Sequence, residues 1–333
     1  MRILLALTLF AIAGWSGYWW VGSRSVENGL RGWLDARADA GWVAEYSEVS
    51  TRGYPNRFDT TISNLELADP ATGVAWSAPF FQILRLSYRP DHVIAVWPDR
   101  QTLASPYQRL TLGAETMRAS VVFVPDSDRQ LDRATLVART LQVGSTADWS
   151  ADIEEVRLAT RATAARANSH DIGFEATNLR PQGTFLAELA QAGFVPGTFQ
   201  RLKIDATVGF GGPWDRTAIE TARPAITDVE LHLLQADWGK LELWMAGDLT
   251  VDAAGVASGS ITVKAKNWRE MLQLAVTAGW IPDGFAATLE SGLEVLAGLS
   301  GSPETLDAPL RIRNGAVSFG PIPLGQAPRL RLR

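Results

Sequence analysis

The sequence predicts a mainly β protein with minor α content: an N-terminal membrane helix, then an extended, curved antiparallel sheet body with a few covering helices. Three observations predict this class. Residues 3–22 form an uncharged, largely apolar run. After Val43, apolar and polar residues alternate with a period of two, as in strands with one buried face. Short turn segments join these strand candidates, and short connections favour antiparallel neighbours over βαβ crossovers.

Residues 1–22 are predicted to be a transmembrane signal anchor. Twenty helical residues rise about 30 Å, which matches the hydrocarbon thickness of a bilayer. Aromatic residues at the C-terminal end of the run suit the membrane–water interface. The residues expected to contact the membrane are Leu4, Leu5, Leu7, Leu9, Phe10, Ile12, Trp15, Trp19 and Trp20.

A cleaved signal peptide is the alternative interpretation of this segment. Arg2, an apolar stretch and the small-x-small triplet at residues 11–13 fit its outline. The apolar run continues past Ala13 to Val21, which favours an uncleaved anchor.

The orientation of the anchor is predicted from its flanking charges and its layout. Arg2 favours a cytoplasmic N-terminus, whereas Arg24, Arg31 and Arg37 favour the opposite orientation. Because long domains are translocated largely regardless of such charges, the signal-like layout decides. We therefore expect a single-pass inner-membrane protein with its body in the periplasm.

Residues 23–42 are predicted to form an amphipathic helix. Val26, Leu30, Trp33 and Leu34 are spaced three or four residues apart, and Gly41 can end the helix. Three placements are open: the helix continues the membrane span, lies across the membrane surface, or packs on the first strands.

Residues 43–333 are predicted to be a β-rich extracytoplasmic body, forming either one elongated sheet or two halves that divide near residues 180–200. Turn signals at residues 69–73 (DPATG) and 252–255 (DAAG) separate amphipathic strands. One apolar face per strand predicts a sheet that is covered on one side, and many strands make it twist or curl. Strand candidates include 58–62, 65–67, 82–88, 93–97, 108–112, 118–124, 134–143, 152–160, 171–176, 201–210, 229–234, 240–251, 259–266, 309–313 and 316–319.

A pair of apolar helices is predicted near the C-terminus, besides a shorter helix at residues 184–192. The first of the pair starts with a capping box formed by Asn267 and Glu270 and ends at Gly279. The pair is either a lid over an apolar groove or the layer that covers the apolar face of a sheet. Its apolar residues are Trp268, Met271, Leu272, Phe285, Leu289, Leu293 and Leu296.

The composition limits the possible partners and chemistry. A net charge of −5 gives no electrostatic argument for binding nucleic acid, so no nucleic-acid partner is expected. With no cysteine, the chain lacks disulfides, thiolate zinc sites and cysteine nucleophiles. His92, His170 and His232 lie in or near different strands without metal-like spacing. No catalytic, cofactor or metal site is predicted, and we expect a non-enzymatic protein.

Three stretches carry a resemblance to a known family. They are residues 42–59 (WVAEYSEVSTRGYPNRFD), 78–98 (APFFQILRLSYRPDHVIAVWP) and 306–325 (LDAPLRIRNGAVSFGPIPLG). They resemble the uncharacterised alphaproteobacterial domain-of-unknown-function family twenty-one twenty-five, from which no catalytic residue carries over. The order of elements is also distantly similar to AsmA-type envelope proteins, which implies a curved sheet with an apolar inner face suited to lipid.

These features favour a membrane-anchored periplasmic protein that binds or conducts lipid, or another hydrophobic ligand, on an apolar sheet face. The alternative is a periplasmic scaffold or assembly factor that binds an envelope protein through a sheet edge or apolar patch. A hydrolase would need converging carboxylates or a Ser/His pair.

Overall fold

A computed structural model describes residues 1–125, 127–184, 186, 197–220, 222–279, 281, 283–299, 302–320 and 322–332. Strands and their antiparallel pairings dominate these residues, which confirms the predicted mainly β class. Contacts divide the chain into two compact units. The first comprises Met1–Pro125 and Leu136–Asp148, and the second comprises Asp126–Thr135 and Trp149–Arg333. Residues 180–200, where the sequence suggests a division, lie within the bounds of the second unit.

The described helices are α1 (Arg2–Asp39), α2 (Arg216–Glu220), α3 (Trp268–Thr277) and α4 (Asp283–Leu299). The predicted helix at residues 184–192 falls largely outside the described residues. The described strands are β1 (Val43–Glu45), β2 (Glu48–Arg52), β3 (Arg57–Asp69), β4 (Val74–Leu86), β5 (His92–Val96), β6 (Arg100–Ala104), β7 (Arg109–Gly113), β8 (Thr116–Phe123), β9 (Leu131–Ser145), β10 (Trp149–Ala162), β11 (Ser169–Gly183), β12 (Phe199–Phe210), β13 (Ile226–Trp238), β14 (Leu241–Val251), β15 (Ala257–Lys266), β16 (Thr305–Arg313), β17 (Ala316–Phe319) and β18 (Ile322–Gln326).

The first unit is built around the long hairpin of β3 and β4. β1 and β2 pair with β3, while β5 and β6 both pair with β4. β7 pairs with β6, and β8 pairs with β5. These antiparallel neighbours confirm the expectation from the short connections.

Helix α1 runs without interruption through both predicted N-terminal segments. Its last turn ends at Gly41, whose φ of +88° is strained for any residue with a side chain and whose N–H donates to Ala38 O at 2.9 Å. The C-terminal half of α1 packs on the first strands, because Leu34 is buried together with Val49 and Ile62. The helix thus continues the apolar run and also covers β1–β3, which combines two of the placements left open by the sequence.

The second unit is a meander in which β10 to β18 pair in chain order. Helices α3 and α4 cover part of one face, where Trp268, Leu289 and Ala297 pack in a buried cluster with Ala308 and Phe319. This cluster is the main core of the unit. The predicted helical pair is therefore present and lies on the sheet.

The predicted capping box of α3 is wrong. Asn267 has a left-handed conformation with φ of +57°, and its side chain makes no cap hydrogen bond. Its Nδ2 donates instead to Lys240 O at 2.6 Å, which ties the start of α3 to the start of β14. The predicted stop is confirmed, since Gly279 has φ of +71° and donates its N–H to Val276 O.

Replacing Leu289 with Ala should destabilise the second unit. Leu289 is 3% exposed in the cluster beneath α4, so the truncation removes buried contacts and leaves a cavity. We expect the free energy of unfolding to fall by about 2–5 kcal/mol in chemical denaturation. Val295→Ala is the matched control on the same helix, because Val295 is 66% exposed; its effect should stay within about 0.5 kcal/mol. Equal effects of the two changes would contradict this packing.

Candidate membrane anchor and apolar sheet face

The N-terminal half of α1 presents its apolar side chains to the surroundings. Among the described residues, α1 is the one helix that is long and apolar enough to cross a membrane. A signal sequence passes the same test of length and composition. Trp19 is half-buried against the first unit. The other predicted membrane-contact residues are exposed: Leu4, Leu5, Leu7, Leu9, Phe10, Ile12, Trp15 and Trp20.

The aromatic end of the apolar run is hydrogen-bonded to the ends of the first strands. Trp15 Nε1 donates to Pro55 O at 2.7 Å, and Trp19 Nε1 donates to Arg57 O at 2.8 Å. Pro55 lies between β2 and β3, and Arg57 is the first residue of β3. An indole N–H has no acceptor in hydrocarbon, so these bonds satisfy groups that would otherwise be costly to bury.

A second turn joins the same contact. Tyr18 OH donates to Ser87 O at 3.0 Å, in the chain between β4 and β5. The Ser16 and Tyr54 hydroxyls lie 2.9 Å apart. We call Trp15, Ser16, Tyr18 and Trp19, with residues 54–57 and Ser87, the anchor joint. The sequence indicated membrane contact for the tryptophans but not this joint, because strand-end carbonyls leave no pattern in the sequence.

Polar contacts continue beyond the joint toward the C-terminal end of α1. Glu27 Oε1 accepts from the Thr51 N–H at 2.7 Å, and an Arg31 Nη donates to Val49 O at 2.8 Å. Both partners lie on β2. The helix is thus held along β2 and β3, with its orientation set by contacts on both sides of Gly22.

In the second unit, apolar side chains meet in register from strand to strand. Leu158 on β10 pairs with Phe174, Phe174 with Ile204 on β12, and Ile204 with Leu234 on β13. The same row continues through Met245 on β14, Val263 on β15 and Ala308 on β16. Since directly paired residues share a face, this apolar row crosses seven strands.

The two ends of the apolar row differ in exposure. Ala308 is 6% exposed beneath α3 and α4, whereas Leu158 is 44% exposed. Phe174, Ile204 and Leu234 between them are only half-buried. The row therefore runs from a covered core into a partly open apolar face.

The residues predicted to form a lid or covering layer all contribute to the covered end. Trp268, Leu272, Leu289 and Leu293 belong to the buried cluster. Met271, Phe285 and Leu296 are partly buried and pack against it. Such burial is typical of a covering layer rather than of helices standing away from the sheet.

The opposite face of the second unit carries a polar cluster that the sequence analysis missed. Asp171 Oδ1 accepts hydrogen bonds from Thr163 and Thr207, and Asp171 Oδ2 accepts from Arg161. Thr207 also lies 3.0 Å from His232 Nε2. Because the single hydroxyl proton of Thr207 goes to the carboxylate, Thr207 accepts from the protonated Nε2 of His232.

A bulge in β13 explains why this cluster was not predicted. The pairing of β12 and β13 shifts by one residue at His232, which turns that side chain toward Thr207. Burial alone would raise the pKa of Asp171. The hydrogen bonds from Arg161, Thr207 and Thr163, with the charge of Arg161, outweigh burial and hold that pKa below its usual value.

His170 lies on the apolar face, next in sequence to this cluster. It is 4% exposed, its ring contacts Phe210, and its Nδ1 lies 3.3 Å from Thr160 Oγ1. Burial lowers the pKa of His170, and the charges of Asp171 and Asp132 offset this only in part. His92 instead lies 2.9 Å from Ser120 in the first unit. The three histidines thus have separate local partners.

The described residues include no group of three histidine or acidic side chains able to hold a metal ion. A shallow cavity of about 480 Å³ lies on the second unit, lined by Arg166, Asp228, Glu230 and Asp248 among others. Arg166 is already paired there with Asp228 and, at 3.9 Å, with Glu230. These contacts pair Arg166 with two of the three carboxylates that line the cavity.

The fold and surfaces define a class: a mainly β, antiparallel protein with an N-terminal helix able to span a membrane. Residues 19–328 match the bacterial family described as "Uncharacterized protein conserved in bacteria (DUF2125)", so the chain belongs to that family. The resemblance noted in the sequence is thereby confirmed. No curated protein and no solved structure matches the chain, so the likeness to AsmA-type proteins stays a prediction.

Replacing Gly22 with Ala should weaken the docking of α1. A Cβ at Gly22 would lie 2.6 Å from Cζ of Phe58, a ring that is 4% exposed and has little room to move. We expect a loss of about 1–3 kcal/mol in stability, measured by thermal unfolding in detergent. Gly29→Ala on the same helix is the control, since nothing lies within 4 Å of its new Cβ. It should stabilise by about 0.5–1 kcal/mol, because Ala favours a helix over Gly. Equal stabilisation by both changes would contradict the docked helix.

The stability of the protein should depend on pH through His170. Its folded pKa lies below the unfolded value of 6.5, so the unfolded state binds more protons as the pH falls. The contribution of His170 is fully present above pH 6.5 and is lost as the pH falls below that value. Chemical denaturation at a series of pH values should show the free energy of unfolding falling below pH 6.5. His170→Gln should reduce this pH dependence. If His170→Gln leaves the slope of the free energy of unfolding against pH unchanged, groups other than His170 cause the effect.

Proposed function

We propose that this chain is a non-enzymatic, membrane-anchored protein of the bacterial envelope that binds or conducts lipid, or a similar hydrophobic ligand, on its apolar sheet face. The body would lie in the periplasm, held at the inner membrane by α1. The observation that carries the proposal is the apolar row, which is closed by α3 and α4 at Ala308 and partly open at Leu158.

The chemistry of this face suits an acyl chain. Leu158, Phe174 and Ile204 offer non-directional apolar contact with no polar partner required from the ligand. Burying apolar area contributes about 25 cal/mol per Å², so a chain lying along the row would gain several kcal/mol. The opposite face of the same strands is polar, and Glu175 forms an ion pair with Arg201 there. That face can therefore stay in contact with water.

The anchor supports the same proposal. A protein held at a membrane by exposed apolar side chains at Leu7 and Phe10 has lipid within reach of its body. The signal-like layout around Arg2 supports export of the body.

Photocrosslinking with a phospholipid that carries a photoreactive acyl chain tests the proposal in the full-length protein. Mass spectrometry should map crosslinks to α1 and, separately, to β10–β13. Leu158→Glu should lower crosslinking to β10–β13 several-fold, because a carboxylate on the open row opposes an acyl chain, while crosslinking to α1 should not change.

Val295→Glu is the matched control, since Val295 is also an exposed apolar residue of the second unit but lies on the outer side of α4. It should leave the crosslinks on β10–β13 unchanged. Crosslinks confined to α1 would refute lipid binding by the sheet. A single protein captured on the same strands by a bifunctional protein crosslinker, with no lipid crosslink there, would favour the scaffold.

A further inference from the structure

The position of the anchor joint along α1 constrains how close the first unit lies to the membrane. The uncharged run is bounded by Arg2 and Arg24. Trp15, the first residue of the joint, lies seven residues before Gly22, which is about 10 Å along the helix. The first unit thus begins its contact with α1 well before the apolar run ends.

A bilayer needs nearly the whole of this run. Residues 3–14, which precede the joint, rise only about 18 Å, whereas the hydrocarbon core is about 30 Å thick. If the full run spans that core, Trp15 and its acceptor Pro55 O lie roughly 10 Å inside its edge. Some thinning of the bilayer reduces this depth but does not remove it, because each Å of mismatch has a cost.

The turns that contact the aromatic end of the run have the composition of a membrane interface. Tyr54, which belongs to the anchor joint, is 53% exposed. Tyr88 is 60% exposed and directly follows Ser87, the acceptor of the Tyr18 hydroxyl. A backbone bond from Ser87 N to Asn56 O holds the two turns together at 2.9 Å. With Trp15, Tyr18 and Trp20 they form a band of aromatic side chains, which favour the headgroup region.

Positive charge accompanies the aromatic band. Arg89 is exposed in the second turn, which also contains Asp91, and Arg24 follows the run on α1. Arg57 of the first turn is exposed but paired with Asp59 at 3.1 Å. Arginine at this level can reach the phosphates of anionic headgroups while its aliphatic stem stays in apolar surroundings.

We propose that the turns at residues 53–57 and 87–91 are inserted into the membrane interface, so that the first unit is seated in the lipid surface rather than suspended above it. The partner is a bilayer containing anionic phospholipid. This inference rests on the proposed anchoring by α1 but assigns a second, separate lipid contact to the body.

The absence of cysteine from the sequence allows a direct test with single-cysteine variants. Tyr88→Cys carries a nitroxide label in the inserted turn. Tyr107→Cys is the matched control: a tyrosine in the β6–β7 turn that is 92% exposed. β6 pairs with β4 near Ala75, about 36 Å along β4 from Leu86, so Tyr107 lies at the far end of the first unit. Leu7→Cys reports the anchor.

The full-length variants are reconstituted in vesicles of phosphatidylethanolamine and phosphatidylglycerol, and collision of each label with an aqueous nickel reagent and with oxygen is measured. We expect the label at position 88 to collide with nickel several-fold less than the label at 107, and more with oxygen. Circular dichroism checks that each variant keeps its strand content.

The other outcomes separate the two proposals. Water exposure at both 88 and 107, with position 7 in lipid, would overturn the inserted turns and leave the anchor intact. Water exposure at position 7 as well would overturn the anchoring itself. Equal protection at 88 and 107 would show that the first unit has no preferred end toward the lipid, which also overturns the inference.

Discussion

The constraint on which most of the second unit depends is the register of its antiparallel strands. Each pairing from β10 to β16 keeps apolar residues opposite apolar residues, so one face of the meander is apolar from Leu158 to Ala308. A slip by one residue would turn every side chain to the other face. The covering helices, the core beneath them and the partly open apolar face all follow from this arrangement.

The bulge in β13 shows how the register is preserved. With strict alternation, Leu231 and Leu233 would share a face. The extra residue puts Leu234 opposite Ile204 instead, so the apolar row stays continuous, and it turns His232 to the polar side. One local irregularity thus serves both faces of the sheet. It keeps the apolar face in register and completes the hydrogen-bonded cluster around Asp171 and Thr207.

In the first unit the corresponding constraint is the docking of α1. Indole N–H groups and a tyrosine hydroxyl bond to backbone carbonyls of two turns, and Gly22 allows the helix to approach Phe58 closely. These contacts make the apolar run a fixed extension of the first strands rather than a flexible tether. The orientation of α1 to the strands of the first unit is therefore set by the fold.

Sequence patterns were sufficient for the apolar run, the mainly β class, the antiparallel connections and the two C-terminal helices, because each depends on local periodicity, on turn residues or on length. They were not sufficient for the start of α3, where Asn267 bonds to Lys240 O, twenty-seven positions away, in place of its own helix. They also could not pair Thr207 with His232 or Trp15 with Pro55. By itself the sequence determined which residues are apolar and at what spacing. Only the tertiary structure decided which of them stay exposed, since exposure depends on the elements that register and packing bring over each strand.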